Sequence, residues 1–109
     1  MAVLKINAHT YRKYLSESAK PVLVEFSAPW CSYCRRLEPA LELTAQQYEG
    51  EIIFGQINID DEPALAEAEQ IELGPTLLLY QNGQLLGSTV APESRAQLEG
   101  FIEESLGRQ

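Results

Sequence analysis

The chain has 109 residues, 45% of them hydrophobic, which suits one domain with a single core and is too short for two. Its formal net charge of −8 disfavours nucleic acid and anionic membrane surfaces as partners, because both are bound through an excess of Lys and Arg. No apolar run approaches the roughly 20 residues that cross a bilayer, and residues 1–10 lack the basic and apolar regions of a signal peptide. We therefore expect one domain over residues 1–109, monomeric and cytoplasmic; a mature exported form would have the same sequence features.

The first part of the chain alternates between strand and helix patterns. The predicted elements are a strand over 3–6, a helix from Asn7 to about Ser18, a strand over 22–26, a helix from Cys31 to about Tyr48, a strand over 52–59 and a helix from Pro63 to about Gln70. The 22–26 run is almost continuously apolar and β-branched, which is typical of a central strand covered on both faces. Strands that alternate with helices indicate a parallel sheet with right-handed connections.

The pattern changes in the last third of the chain. Strand-like residues 76–80 and 84–89 are separated by Asn82-Gly83, a dipeptide that accepts the positive φ angles of a type I′ hairpin. Ser94 then opens a capping box before a last amphipathic helix. The sequence thus predicts an α/β fold in which four helices flank a central, mixed sheet of five strands.

Both cysteines of the chain lie in the stretch Trp30-Cys31-Ser32-Tyr33-Cys34, after a predicted strand and at the start of a predicted helix. A Cys-x-x-Cys pair in that setting is typical of a redox site. Unpaired backbone N–H groups and the positive end of the helix dipole favour the thiolate of Cys31, which is the form that attacks a disulfide. Cys34 follows at i+3 on the same face, where it can attack the mixed disulfide that Cys31 forms. Two buried structural cysteines, or half of a shared zinc site, are the alternative.

Glu25 is an acid within the apolar 22–26 strand. Ionisation is costly there without a partner, so we expect the pKa of Glu25 to be raised. The alternative is a solvated carboxylate at the end of the strand.

Other short segments accompany the cysteine pair along the chain. They are Val24-Glu25-Phe26, Ala28-Pro29-Trp30-Cys31, Asn58-Ile59-Asp60, Pro75-Thr76-Leu77-Leu78-Leu79-Tyr80 and Asn82-Gly83. With these segments the chain resembles the thioredoxin family over essentially its whole length. The resemblance implies the thioredoxin fold and disulfide exchange through the Cys31–Cys34 pair, with no other cofactor. It also places Glu25 where the family has a buried aspartate that exchanges protons with the resolving cysteine.

The resemblance further implies a substrate-binding role for four residues. The Gly74-Pro75 peptide bond would be cis, which lets Gly74 offer its backbone to an extended substrate peptide, with Thr76 at the start of the strand that follows. A plain trans turn at Gly74-Pro75 is the alternative. Trp30 would pack at the rim of the site and shield the disulfide.

The residues between and after the cysteines depart from the family pattern. Ser32 and Tyr33 stand where thioredoxins have Gly-Pro. We expect the loss of proline to free the Cys34 N–H and to loosen the turn, which would stabilise the dithiol and raise the reduction potential above that of thioredoxin. Arg35 would add positive charge near the thiolates.

Two further departures lie elsewhere in the chain. Gly74 stands where a bulkier residue usually precedes the cis-proline, and Gln56 where thioredoxins often have a lysine near the buried acid. Without that cation, the pKa of Glu25 should be raised still further.

These features predict a thiol-disulfide oxidoreductase that acts on protein disulfides and is recycled by a reductase or by glutathione. One alternative is a glutathione-linked or isomerase-like enzyme, because an x-Tyr dipeptide between the cysteines is similar to that of glutaredoxins and some disulfide isomerases. Another is a binding module, either an iron–sulfur carrier or an adaptor whose peptide groove matters more than its redox cycle. We expect no metal site in the protein.

Overall fold

A computed structural model describes residues 2–72 and 74–108. In chain order its elements are β1 Val3–Lys5, α1 Ala8–Glu17, β2 Val22–Ser27, α2 Ser32–Gln47, β3 Ile53–Asn58, α3 Pro63–Ala68, β4 Thr76–Gln81, β5 Gln84–Val90 and α4 Arg95–Ser105. The predicted α/β class, with a central five-stranded mixed sheet and four flanking helices, is confirmed.

The sheet has the strand order β1-β3-β2-β4-β5. Strands β1 and β2 both run parallel to β3, whereas β4 runs antiparallel to β2 and to β5. In this arrangement the carboxyl ends of β2 and β3 lie at one edge of the sheet, and β4 begins at the same edge, with Thr76 paired to Phe26. The loops at this edge carry the cysteine motif, the segment after β3 and the Gly74-Pro75 bond.

Two apolar layers cover the faces of the sheet. The layer beneath α2 and α4 is built on Leu23, Leu37, Leu41, Phe54, Leu77, Leu79, Leu98 and Ile102. The layer beneath α1 and α3 is built on Tyr11, Val22, Val24, Phe26, Ile57, Leu65 and Leu78. Because side chains alternate along a strand, Glu25 shares the α2 face with Leu23. An acid therefore lies in a strand whose six residues are all buried.

Helix and strand ends differ from the sequence prediction by one or two residues. Helix α2 begins at Ser32, with Cys31 as its N-cap, and α3 ends at Ala68 rather than near Gln70. The reason for the earlier end is the backbone of Gln70, which takes a φ of 57°, in the left-handed region that stops a helix. The hairpin turn is of the predicted kind, with φ of 53° at Asn82 and 76° at Gly83.

No helix within residues 2–72 and 74–108 is both long and apolar enough to cross a membrane.

Candidate active site

Cys31 occupies the N-cap of α2, with extended backbone angles of φ −86° and ψ 112°. Its Sγ accepts a hydrogen bond from the backbone N–H of Cys34 at 3.2 Å. The sulfur thus takes the place that a Ser or Asp oxygen has in an ordinary helix cap. There the unpaired N–H groups of the first turn and the positive end of the helix dipole stabilise negative charge. The local geometry therefore places Cys31 Sγ against the first-turn N–H groups of α2.

Cys34 lies in the first turn of α2 and is 3% exposed, against 8% for Cys31. Both are free thiols, and they cluster with Ala28 and the half-buried Ile59. Burial raises the pKa of the Cys34 thiol, and its hydrogen bond with Cys31 and the nearby charge of Glu25 act in the same direction. Of the two sulfurs, Cys34 is thus the one that needs a base before it can attack.

Glu25 is completely buried beside this pair. Burial is the largest cause that raises its pKa, from an ordinary value of 4.5 to about 7, and the charge of Glu38 adds to the rise. The predicted rise in the pKa of Glu25 is confirmed, and the alternative of a solvated carboxylate is wrong.

Gln56 is the partner of the buried acid. It faces Glu25 directly in the parallel pairing of β2 with β3, and its Nε2 donates to Glu25 Oε1 at 2.7 Å. This hydrogen bond lowers the pKa of Glu25 but does not offset burial. The other oxygen, Oε2, is buried without a hydrogen-bond partner among the described residues. Gln56 also lines a surface cleft of about 630 Å³, so the amide separates the acid from solvent.

Gly74 covers the two sulfurs from the β4 side. A methyl group placed on its Cα would lie 3.2 Å from Cys34 Sγ and 3.5 Å from Cys31 Sγ, so a side chain at this position would crowd both sulfurs. The Gly74–Pro75 peptide bond is cis, as the resemblance implies. Pro75 and Thr76 are both buried, and Thr76 is the first residue of β4.

Comparison with known proteins agrees with this geometry. The family model described as Thioredoxin matches residues 2–104. The chain is 39% identical over 100 residues to a thioredoxin of Buchnera aphidicola subsp. Baizongia pistaciae, covering 92% of each protein. It is also 34% identical over 105 residues to thioredoxin 1 of Nostoc sp., covering 96% of this chain and 98% of the relative. A thioredoxin of Acidithiobacillus ferridurans is 35% identical over 105 residues, covering 96% of this chain and 97% of the relative.

The chain belongs to the thioredoxin family. Its five-stranded mixed sheet and four helices are the thioredoxin fold, and family membership supports thiol–disulfide oxidoreduction as its broad activity.

Trp30, the aromatic residue that precedes the thioredoxin-family cysteines, is 68% exposed. Its indole Nε1 donates to both carboxylate oxygens of Asp60, at 3.2 and 3.1 Å. This hydrogen bond fixes the orientation of the indole, and its predicted place at the rim of the site, shielding the disulfide, stays a prediction. The cysteines themselves pack with Ala28 and Ile59.

Tyr33 and Arg35 of this thioredoxin-family site both make contacts close to the cysteines in sequence. Tyr33 is 59% exposed and its ring lies 4.9 Å from the guanidinium of Arg36. Arg35 Nη1 donates to the carbonyl oxygen of Pro29 at 2.6 Å, so it braces the loop before Cys31. The guanidinium keeps its charge in this hydrogen bond, and the predicted positive charge near the thiolates stays a prediction.

The turn between the cysteines also corrects one sequence expectation. The Cys34 N–H does bind the Cys31 sulfur, but Cys34 carries that donor whatever residue precedes it. A proline at position 33 would lack only the backbone N–H of position 33 itself. Tyr33 therefore adds its own N–H and leaves that of Cys34 unchanged. Ser32 is exposed at the helix start. The expected effect on the reduction potential therefore depends on the looser turn and on the Tyr33 N–H, not on the Cys34 N–H.

Gln56 and Asp60 hold important side chains of the site in place, yet neither was assigned a role from the sequence. In the sequence, Gln56 stands out only because it replaces a lysine, and Asp60 only as part of the Asn58-Ile59-Asp60 segment. The available signal was strand register: parallel pairing of β2 with β3 puts Gln56 beside Glu25 and brings the end of β3 near Trp30.

Proposed function

We propose that the protein is a thiol–disulfide oxidoreductase that reduces or exchanges protein disulfides, with Cys31 as nucleophile and Cys34 as resolving thiol. The observation that carries the proposal is the hydrogen bond from the Cys34 N–H to Cys31 Sγ at the N-cap of α2. It supports Cys31 as the nucleophile, because its sulfur lies at the helix start, where unpaired N–H groups favour negative charge. Gly74 further supports it, because the absence of a side chain there leaves the two sulfurs uncrowded.

In the first half of the reaction, the Cys31 thiolate attacks one sulfur of the substrate disulfide. A bond forms between Cys31 Sγ and that sulfur while the substrate S–S bond breaks, and the second substrate sulfur leaves as a thiolate that takes a proton from solvent. The exposed indole of Trp30 and the backbone of Gly74 border this approach. The product of this half is a mixed disulfide.

In the second half, Cys34 attacks Cys31 Sγ: a Cys31–Cys34 bond forms, the bond from Cys31 to the substrate breaks, and the substrate sulfur leaves as a thiolate that takes a proton from solvent. Cys34 must lose its proton first, and its pKa is raised by burial. Glu25, with a pKa of about 7, is ionised in part at neutral pH and accepts that proton. Two electrons have then moved from the Cys31–Cys34 pair to the substrate. A reductase or glutathione returns them and restores the dithiol.

Insulin reduction driven by dithiothreitol tests this function. Precipitation of the reduced B chain should be much faster with the wild-type protein than without it, and Cys31→Ser should abolish the acceleration. A wild-type protein that gives no acceleration would refute the proposal. Recycling with a thioredoxin reductase and NADPH, compared with recycling by glutathione, identifies the electron donor.

We further propose that the reduction potential of the Cys31–Cys34 pair lies above thioredoxin's value of about −270 mV. It is supported by the exposed Ser32-Tyr33 pair, which replaces a rigid Gly-Pro turn. Equilibration with glutathione measures the potential, and the double variant Ser32→Gly/Tyr33→Pro should lower it. A wild-type value at or below about −270 mV would refute this part and leave the reaction itself in place.

A further inference from the structure

We propose that a groove beside α3 selects protein disulfides whose cysteine is flanked by Lys or Arg. The groove has a volume of about 770 Å³. Its apolar floor includes Ile59, Ala66 and Ile71, and its rim includes Asp60, Glu67 and Glu72. The inference assigns a substrate class to this α3 groove, and it therefore rests on the function proposed above.

The α3 groove is continuous with the redox site. Ile59, in its floor, packs against the cluster that contains Cys31 and Cys34. Asp60, on its rim, accepts the indole N–H of Trp30. A peptide whose disulfide reaches Cys31 therefore has its neighbouring residues beside this groove. Ile59 and Asp60 thus belong both to the groove and to the surface around the cysteines.

The groove carries negative charge, and most of its carboxylates are available to bind a ligand. Three acidic side chains line it, Asp60, Glu67 and Glu72, and residues 37–94 contain no Lys or Arg. Glu67 and Glu72 are exposed, and neither side-chain carboxylate has a hydrogen-bond or ion-pair partner in the part of the chain that the structure describes. The cations nearest the cysteines in sequence, Arg35 and Arg36, contact Pro29 and the Tyr33 ring, and neither lines the groove.

An extended peptide segment with basic residues fits both features of the groove. The aliphatic stem of a Lys or Arg packs on an apolar floor while its charged end reaches a carboxylate at the rim. The carboxylates also attract a basic segment before contact, which raises the rate of productive encounter at low salt. An acidic segment is repelled by the same rim.

Three matched peptide disulfides test the inference, with lysine, glutamine or glutamate at the residues on both sides of one cysteine. Each is mixed with pre-reduced protein in a single turnover, and the second-order rate constant is measured at low and at high salt. We expect the lysine peptide to react about three- to tenfold faster than the glutamine peptide at low salt, with the glutamate peptide slowest. The differences should shrink at high salt, because exposed charges are screened.

A pair of matched variants locates the effect. Glu67→Gln/Glu72→Gln removes two charges from the groove, and Glu49→Gln/Glu104→Gln removes two exposed charges that do not line it. The lysine preference should fall in the first variant and persist in the second. Equal rates for the three peptides, or a preference lost equally in both variants, would overturn the inference. Failure to reduce even the glutamine peptide would instead overturn the proposed function.

Discussion

Gln56 Nε2 donates a hydrogen bond of 2.7 Å to Oε1 of Glu25, and Oε2 of the same carboxyl is buried without a partner among the described residues. The two oxygens of Glu25 are therefore not equivalent. A neutral amide holds one, and the other is left to take up a proton. Burial alone would raise the pKa of Glu25 further, and the Gln56 amide brings it back to about 7.

The first prediction concerns this hydrogen bond. Gln56→Met keeps the length of the side chain but removes the donor, so the pKa of Glu25 should rise, by about one unit if the bond contributes about 1.4 kcal/mol. Gln56→Lys puts a cation at the same place and should lower it. Infrared titration of the protonated carboxyl measures both shifts. Shifts in the same direction would contradict the role assigned to Gln56.

The second prediction concerns proton transfer from Cys34. Glu25→Gln keeps the shape of the side chain but cannot accept a proton, so resolution of the mixed disulfide should slow by at least about tenfold at pH 7. In the wild-type protein the resolution rate should rise with pH as Glu25 ionises near pH 7. Stopped-flow fluorescence of the resolution step measures both rates. Unchanged kinetics in the variant from pH 6 to 9 would remove Glu25 from the mechanism.

The third prediction concerns stability against pH. The folded protein binds the Glu25 proton up to about pH 7, while the unfolded chain releases it near pH 4.5. Between these values the folded state holds more protons, so stability falls as pH rises, by about 3 kcal/mol in total. Urea unfolding of the reduced protein from pH 5 to 8 should show this loss in the wild type. The loss should be absent from Glu25→Gln, and parallel profiles would contradict the burial of an ionisable acid.

The fourth prediction concerns Gly74. Its replacement by alanine puts a methyl group 3.2 Å from Cys34 Sγ, so the sulfurs or the backbone must shift, at a cost of about 1–3 kcal/mol. Gly74→Ala should therefore lower both stability and the rate of insulin reduction. Gly100→Ala is the matched control, because nothing lies within 4 Å of the added methyl on α4. It should leave the rate unchanged and raise stability by up to about 1 kcal/mol. Equal rates in the two variants would contradict the contact.

The fold and the redox pair were predictable because their signals are local. The apolar β-branched run of β2, the capping residues Asn7 and Ser94 and the Asn82-Gly83 turn each specify structure within a few residues. The spacing of Cys31 and Cys34 likewise specifies the redox site within four residues. The raised pKa of Glu25 followed from its place inside an apolar strand, before any partner was known.

The contacts that the sequence did not predict join residues far apart in the chain. Trp30 binds Asp60 and Gln56 binds Glu25, across separations of 30 and 31 residues that depend on the register of β3. The direction of the Arg35 side chain depends on the position of a loop carbonyl, which no spacing rule supplies. The α3 groove likewise exists only once β3 and α3 are packed beside the cysteines.

The most direct test of the central claim is to trap the mixed disulfide. Cys34→Ser, reduced and then mixed with a protein disulfide, should accumulate a covalent adduct that peptide mapping by mass spectrometry locates on Cys31. Cys31→Ser under the same conditions should accumulate almost none, because the remaining thiol is buried and has a raised pKa. An adduct on Cys34 in the second variant, formed as fast as that on Cys31 in the first, would contradict the assignment of nucleophile and resolving thiol.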